Sequence, residues 1–192
     1  MTTQAVLHKY GTQLLFADHA TDFAAAPATA ANSIIIGSPT DMQMNLSVIA
    51  AAAAWQSAKT ATLAHTGTAW PIQWVLGACL ESTATPAAGG RFDFYWNASP
   101  SATAATGNSG GASGADEAFA VAGLPQLIYI GGLTVRNNVL NIGTDIGRLW
   151  MPHLYGSLII VNNTSVAMVA DADADECHIT LTPIIDDIQA AA

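Results

Sequence analysis

A short aromatic strand followed by a long run of small residues most constrains what this chain can fold into. Residues 89–116 read GGRFDFYWNASPSATAATGNSGGASGAD. Phe92, Phe94 and Trp96 recur at period two, the pattern of a β-strand with one apolar face that a second layer must cover. The Ser, Ala, Thr and Gly residues that follow can bury little apolar surface, so they offset little of their own ordering entropy. The stretch therefore predicts a rigid strand that leads into a pliant loop.

Further segments of β character lie on both sides of this stretch and are separated by turn residues. The five-alanine run at 50–54 is the best helix signal, but its shortness and the segment after it favour a strand. We count eight or nine strands, which predicts an all-β fold: an antiparallel β-sandwich, jelly-roll-like, with long loops and an extended N-terminal arm. The segments with β character are 11–17, 41–49, 55–60, 70–81, 92–97, 126–135, 139–146, 155–162 and 177–185.

The length of 192 residues suits one domain with extended arms. Pro27 and Pro39 oppose a helix in the segment between the first two strands. The N-terminal residues lack a basic region followed by an apolar core, so we predict no signal peptide. The predicted divisions are an N-terminal arm (1–10), a β-sandwich domain (11–187), an extended connection within it (18–40), a long loop within it (98–125) and a C-terminal tail (188–192).

Low charge limits the kinds of partner. Only 10% of the residues are charged, and the net charge is −9. The charge argues against nucleic-acid binding, because the five cations are scattered and phosphate neutralisation needs clustered cations. No apolar run approaches the roughly 20 residues of a membrane-spanning helix. Few charges must be desolvated when such a surface is covered, so the composition favours a protein that packs against neighbours. The cations are Lys9, Lys59, Arg91, Arg136 and Arg148.

No residue pattern predicts a metal or a cofactor. Cys79 and Cys177 would pair if adjacent strands brought them together, but buried thiols are the favoured interpretation. The acidic run at 171–176, DADADE, resembles the start of a calcium loop. Its sixth position is Glu176 instead of glycine, and its twelfth is Thr182 instead of glutamate. We therefore predict a solvated acidic turn.

Catalytic patterns are weak. The GNSGG at 107–111 is similar to the GDSGG around the nucleophile of trypsin-like proteases, but its only upstream histidine candidate, His65, lacks that family's sequence context. A glycan hydrolase would need two carboxylates at one cleft, and Asp93 and Asp145 are the candidates. We predict that the chain is not an enzyme and that the segment 99–114 is ordered mainly by partners.

Aromatic and polar side chains are the remaining lead to a function. Trp and Tyr anchor protein interfaces and also stack on sugars. The outward face of the aromatic strand and two further tryptophans are therefore the candidate interface. These residues are Asp93, Tyr95, Asn97, Trp55 and Trp150.

Four phrases of the sequence carry a resemblance to a known family. They are ATAANSIIIGSPTDMQMNLSVIA (28–50), FDFYWNASPSATAATGNSGGASGAD (92–116), YGSLIIVNNTS (155–165) and HITLTPIID (178–186). Over about residues 15–187 the chain resembles the jelly-roll virion structural proteins of tailed bacteriophages. The resemblance lies in the general character of the sequence and in these short segments, and it carries over no functional residue.

The resemblance implies a structural virion protein, most directly a capsid cement or decoration protein that stabilises the head through capsomer contacts. Its implied partners are the major capsid protein or other virion proteins and further copies of itself, as a dimer or trimer. From the charge, the hydropathy and the motifs of the sequence we predict neither nucleic-acid nor membrane binding, and no cofactor. The alternative is a tail- or baseplate-associated module that binds a receptor or a glycan.

Overall fold

The chain is almost entirely β-structure in the computed structural model, which describes residues 6–20, 23, 33–47, 49–60, 71, 73–150, 154–169 and 177–188. The all-β prediction is confirmed. The described part contains eleven strands, more than the eight or nine predicted, and one short 3-10 turn at Val121–Gln126. The strands are β1 (Val6–Tyr10), β2 (Leu14–Ala17), β3 (Thr40–Gln43), β4 (Ala54–Gln56), β5 (Gln73–Glu81), β6 (Arg91–Ser99), β7 (Glu117–Phe119), β8 (Ile128–Thr134), β9 (Leu140–Leu149), β10 (Tyr155–Asn163) and β11 (His178–Ile188).

These strands form one curled, mixed sheet. Its order is β3-β2-β11-β5-β9-β8-β6-β10-β4-β7, and β1 also pairs with β11. Neighbours are antiparallel except β2 and β3, which run parallel. The junction between β8 and β9 is narrow, because these strands pair at a single position, Gly131 opposite Gly147.

Curling encloses one face of the sheet in a shared core. Phe92, Phe94 and Trp96 are completely buried there, as their alternation predicts, and Trp74 of β5 joins them. Burial of each such side chain contributes about 2–3 kcal/mol. The close approach of β10 needs Gly156, since a Cβ at that position would lie 2.3 Å from the ring of Trp96.

The described half of the predicted N-terminal arm is a strand. Residues 6–10 form β1, which pairs with β11 from Val6 opposite Ile188 to Tyr10 opposite Ile184. The prediction missed this strand because five residues of mixed character gain β-structure from their partner strand rather than from their own pattern. Residues 1–5 and most of the predicted tail, 189–192, lie outside the described residues.

The described residues of the predicted connection at 18–40 cross the outer face of the sheet. The connection contains an apolar triplet, residues 34–36, which forms no strand, and residues 33–36 lie against β11 and β5. Gln13 accepts a hydrogen bond of 3.0 Å from one backbone N–H of this segment, and His178 Nε2 accepts one of 3.3 Å from another. Ile34 packs above Gly77, where a Cβ would lie 2.9 Å from its Cδ1 atom. This half of the outer face is therefore covered by the chain itself.

The predicted long loop at 98–125 covers the other half of the outer face. It contains β7 and most of the 3-10 turn, neither of which was predicted. Ala112, Leu124 and Leu127 pack on a second apolar cluster, whose buried members are Ala54, Ala112, Phe119, Ile159 and Val161. Both halves of the sheet are thus covered on two sides, which explains why its strands show long buried runs.

Asp116 joins the two ends of the curled sheet. It directly precedes β7, at one end, and its carboxylate accepts hydrogen bonds from the Asn45 N–H at 2.9 Å and from Gln43 Nε2 at 3.1 Å, at the other end. It also accepts the indole N–H of Trp55 at 2.7 Å. Close by, the N–H of Ala58 donates to the Gln43 carbonyl at 3.0 Å. A carboxylate is suited to this position because it accepts several bonds and donates none.

Replacing Asp116 tests this closure. We expect Asp116→Ala to lower the free energy of unfolding by about 2–4 kcal/mol, because the Asn45 N–H and the Trp55 indole lose their acceptor at a partly buried site and Gln43 loses one of two. Urea denaturation measures the change. Asp145→Ala is the control, since its carboxylate is half exposed beside Arg148 and such pairs contribute less than about 1 kcal/mol. Equal effects of the two changes would contradict the closing role.

Candidate functional site

The outward face of β6 carries three of the predicted site residues, but the structure places them at different depths. Asp93, Tyr95 and Asn97 do share one face, as period two requires. Asp93 is only 1% exposed, and Asn97 is completely buried, whereas Tyr95 is half-buried. The prediction that all three are available for contacts is wrong for Asp93 and Asn97, because neighbouring side chains and the long loop cover them.

Asp93 is the centre of a polar cluster on this face. Its carboxylate accepts hydrogen bonds from Arg91 Nε at 2.9 Å, from Asn163 Nδ2 at 2.6 Å and from the Tyr129 hydroxyl at 3.3 Å. Charge-assisted bonds of this kind are what a buried carboxylate needs. The side chain of Arg91 is 56% exposed, so the cluster connects a buried anion to the surface.

Two tyrosines pack beside this carboxylate. Tyr95 and Tyr129 face each other across β6 and β8, with ring centroids 5.3 Å apart and an interplanar angle of 69°. Burial raises the pKa of Tyr129, the negative charge of Asp93 raises it further, and Arg91 lowers it. The pKa of Tyr95 is raised by burial first and then by Asp93. Both phenols therefore keep their protons in neutral solution, and that of Tyr129 donates to Asp93.

Asn97 anchors the long loop instead of facing a partner. Its Oδ1 atom accepts a hydrogen bond of 2.9 Å from the N–H of Ser109. Next to Ser109, the side-chain amide of Asn108 donates to the carbonyls of Ala104 at 2.6 Å and Ala112 at 2.8 Å. These bonds make the GNSGG segment a compact turn that is attached to the strand.

Lys59 binds the first part of the long loop, residues 99–106, through hydrogen bonds. Its ammonium group donates to three backbone carbonyls and one hydroxyl, namely those of Thr103 at 2.8 Å, Thr106 at 2.8 Å, Ser101 at 3.2 Å and the Ser99 side chain at 3.0 Å. Burial lowers the pKa of Lys59, while the four oxygen acceptors favour its charged form. We expected the segment 99–114 to be ordered mainly by partners, and these contacts within the chain correct that expectation.

Glycines in the loop permit close backbone approaches. Gly110 has a φ of 65°, and a Cβ there would lie 2.6 Å from the carbonyl oxygen of Gly123. Gly114 has a φ of 75°, and a Cβ there would lie 2.3 Å from the carbonyl oxygen of Ala104. Glycines in and beside the segment that resembles a protease motif are therefore needed for the backbone conformation of the loop.

The catalytic candidates are not assembled by the described residues. Ser109 lies on the exposed side of the loop, and His65 lies outside the described residues. Asp93 is bound to Arg91, and the half-exposed Asp145 pairs with Arg148 at 2.7 Å. Both carboxylates of the hydrolase hypothesis are therefore engaged by arginines.

The two predicted tryptophans differ in exposure. Trp55 is half-buried, packs against the inner core and donates its indole N–H to Asp116. Its role is therefore in the closure of the sheet. Trp150 follows β9 and is 64% exposed, which keeps it an interface candidate. Sequence reasoning missed Tyr129, although the alternation in IYIGG could have indicated an outward tyrosine.

The cysteines are buried thiols, as favoured from the sequence, and no disulfide joins Cys79 to Cys177. Cys177 belongs to the inner core, whereas Cys79 alternates with the core residues Ala78 and Leu80 and so points to the outer face. Opposite faces of a sheet prevent them from pairing. The acidic run at 171–176 lies outside the described residues.

Comparisons with protein-family models, curated proteins and solved structures give no match for the chain. In the part of the chain that the structure describes, no group of three or more His, Cys, Asp or Glu side chains could hold a metal ion. No helix among the described residues is long and apolar enough to cross a membrane. The function must therefore be argued from the strand order and the surface.

Removing the Lys59 ammonium tests how the loop is held. We expect Lys59→Met to raise the hydrogen-exchange rates of amides in residues 99–107 and to lower the free energy of unfolding by about 1 kcal/mol, because four oxygen atoms lose their donor at a partly exposed site. Exchange followed by mass spectrometry measures the effect. Arg136→Met, which removes an exposed cation from the β8–β9 turn, is the control. Unchanged exchange in Lys59→Met would show that the loop does not depend on this side chain.

Proposed function

We propose that this chain is a structural virion protein of a tailed bacteriophage and that its curled sheet is a jelly roll. The most direct role is that of a capsid cement or decoration protein, which stabilises the head through contacts across capsomers. One observation carries the proposal, namely the order in which the strands pair. The resemblance of four sequence phrases to virion proteins points in the same direction.

The strand order supports a jelly roll when eight of the strands are taken in chain order. They are β2, β4, β5, β6, β8, β9, β10 and β11. The first then pairs with the eighth, the second with the seventh, the third with the sixth and the fourth with the fifth. This nested pairing is a long hairpin, and the contacts β11–β5 and β10–β6 roll it up. Jelly rolls are common in viral capsid domains.

The fold alone does not establish a cement role, because one fold serves many functions, so the surface must also be suited to binding a partner. Most of the sheet is covered on both faces, yet several large apolar side chains remain in solvent. Together with a charged fraction of only 10%, they give a surface whose desolvation costs little free energy. The exposed side chains are Tyr10, Ile36, Val121, Ile128, Tyr129, Ile142, Trp150 and Leu154.

Symmetry would strengthen weak contacts of this kind. A cement protein binds at many equivalent positions, so a modest area per copy suffices when copies also associate as dimers or trimers. Tyr10 and Ile36 flank one groove of about 370 Å³, which Lys9, Gly37 and Ile185 also line. The major capsid protein or another virion protein is the partner that we propose for these surfaces.

A tail- or baseplate-associated module that binds a receptor or glycan is the second candidate. The observation in its favour is the half-exposed ring of Tyr129 beside the polar side chains of Arg91 and Asn163. Head and tail locations differ in copy number, which makes them experimentally separable.

The mass of the protein in solution, set beside its copy number in the particle, tests the location. We expect a dimer or trimer in solution and hundreds of copies per particle, because a shell repeats its surface many times. Light scattering gives the first value, and quantitative mass spectrometry of purified particles gives the second. Six or twelve copies would instead support a tail component, and absence from the particle would contradict both roles.

Shortening Trp150 tests its part in the interface. We expect Trp150→Ser to weaken binding to shells that lack the protein by about tenfold or more, since exposed tryptophans are frequent anchors of interfaces. Co-sedimentation with shells measures the binding. Asp145→Ala serves as the control at another exposed position, with binding expected to stay within about twofold. Undiminished binding by Trp150→Ser would exclude this side chain from the interface.

Ser109→Ala tests the enzyme alternative. We expect unchanged binding to shells and unchanged stability, because Ser109 helps to hold the loop through its backbone N–H, which donates to Asn97, and its carbonyl, which accepts from Ala112, and alanine keeps both. Infectivity of particles that carry the variant is the decisive measurement. A large loss of infectivity with normal assembly would revive a catalytic role for this serine.

A further inference from the structure

Tyr129 is an exposed aromatic side chain whose position is unusually well fixed. About half of it, 51%, is exposed on the outer face of β8. Its ring packs edge-on against Tyr95, and its hydroxyl donates to Asp93 at 3.3 Å. The hydroxyl also lies above Gly132, where a Cβ would come within 3.0 Å of it. Because the hydroxyl end reaches back over the same strand, the ring lies along the sheet rather than extending into solvent.

Fixation of an exposed ring lowers the entropic cost of binding to it. A free tyrosine loses rotamer freedom when a ligand packs on it, whereas Tyr129 is already held by Tyr95, Asp93 and Gly132. Tyr129 is not part of the inner core, which other residues fill, so packing of the core does not explain its position. The arrangement is therefore suited to a ligand that packs on an aromatic surface.

The Asp93 carboxylate and the polar side chains that share it with the Tyr129 hydroxyl carry no net charge in sum. Arg91 uses its Nε to bind Asp93, while its side chain is 56% exposed and carries further N–H donors. Asn163 at the end of β10 binds the same carboxylate and is also exposed. Because the charges of Arg91 and Asp93 compensate each other, the site offers no net attraction to an ion.

We propose that Tyr129, Arg91 and Asn163 form a binding site for one ring of an uncharged sugar. A sugar ring has an apolar C–H face, which suits the tyrosine ring, and hydroxyl groups, which suit the guanidinium and amide groups around it. A protein anchor would be the centre of an apolar patch with polar groups only at its rim. Here the Tyr129 hydroxyl, Arg91 and Asn163 all bond to the one carboxylate of Asp93, so polar groups lie next to the aromatic ring and the observations favour the sugar.

The site is shallow, so the affinity of one copy is expected to be low. An open surface that contacts a single ring supports a dissociation constant in the millimolar range. Repetition of the site on a particle would raise the overall affinity by multivalency. The inference deepens the glycan-binding candidate, but it does not depend on whether the protein is located in the head or the tail.

Saturation-transfer NMR on the purified chain tests the site. The probes are the methyl glycosides of glucose, galactose and mannose, each at about 10 mM so that a millimolar complex is populated, with the methyl glycoside of N-acetylneuraminic acid as the charged comparison. We expect transfer to at least one neutral glycoside. Tyr129→Ala should reduce it at least about tenfold, whereas Tyr129→Phe, which keeps the ring, should retain most of it.

Two further variants control for folding and for non-specific apolar contact. Ile142→Ala removes another exposed apolar side chain, 43% exposed on β9, and should leave the transfer unchanged. Gly132→Ala should reduce transfer although it keeps tyrosine at position 129, because the new Cβ would lie 3.0 Å from the Tyr129 hydroxyl and shifts the ring. Thermal unfolding of each variant verifies that it is folded.

Three results would overturn the proposal. They are no transfer to any neutral glycoside, equal transfer in wild type and Tyr129→Ala, and preferential transfer to the charged sugar. Binding of Tyr129→Ala to shells is measured alongside and is expected to equal that of wild type. Lost shell binding without any sugar binding would identify the site as a protein interface, so failure of the sugar proposal is distinguishable from failure of the structural role.

Discussion

Enclosure of one apolar sheet face is the constraint on which the rest of the structure depends. Phe92, Phe94 and Trp96 must be covered, and the sheet covers them by curling until its own strands face them. A curled sheet brings its two ends close together, and at that point an acceptor such as Asp116 is needed to satisfy donors from both ends. The tight positions of Gly156 and Trp96 follow from the same enclosure.

The outer face of the sheet explains the long segments that contain few large side chains. Residues 33–36 cover one half and the loop after β6 covers the other, each fixed by polar side chains such as Gln13, Asn97 and Lys59. Small residues allow this loop to approach the sheet and itself closely. What remains exposed is a limited set of apolar and aromatic side chains, and it is these on which both proposals rest.

Prediction from the sequence succeeded where a local pattern has one physical solution. The alternation in β6 and the burial of Trp96 were recognisable because period two separates two faces. β1 and β7 were missed because short strands form through pairing with distant partners. For the site, Asp93 and Tyr95 were found, but Tyr129, which lies opposite on β8, depends on strand register that the sequence does not reveal.

The sequence by itself determined the all-β class, the apolar face of β6 and the low charge of the surface, since these follow from composition and local periodicity. Only the tertiary structure decided which outward side chains stay in solvent. Asn97 and Tyr95 have equivalent positions in the alternation, yet the loop buries Asn97 completely and leaves Tyr95 half-buried. Long-range contacts, such as those of Lys59 and Asp116, fix that loop, and their partners lie forty or more residues away along the chain.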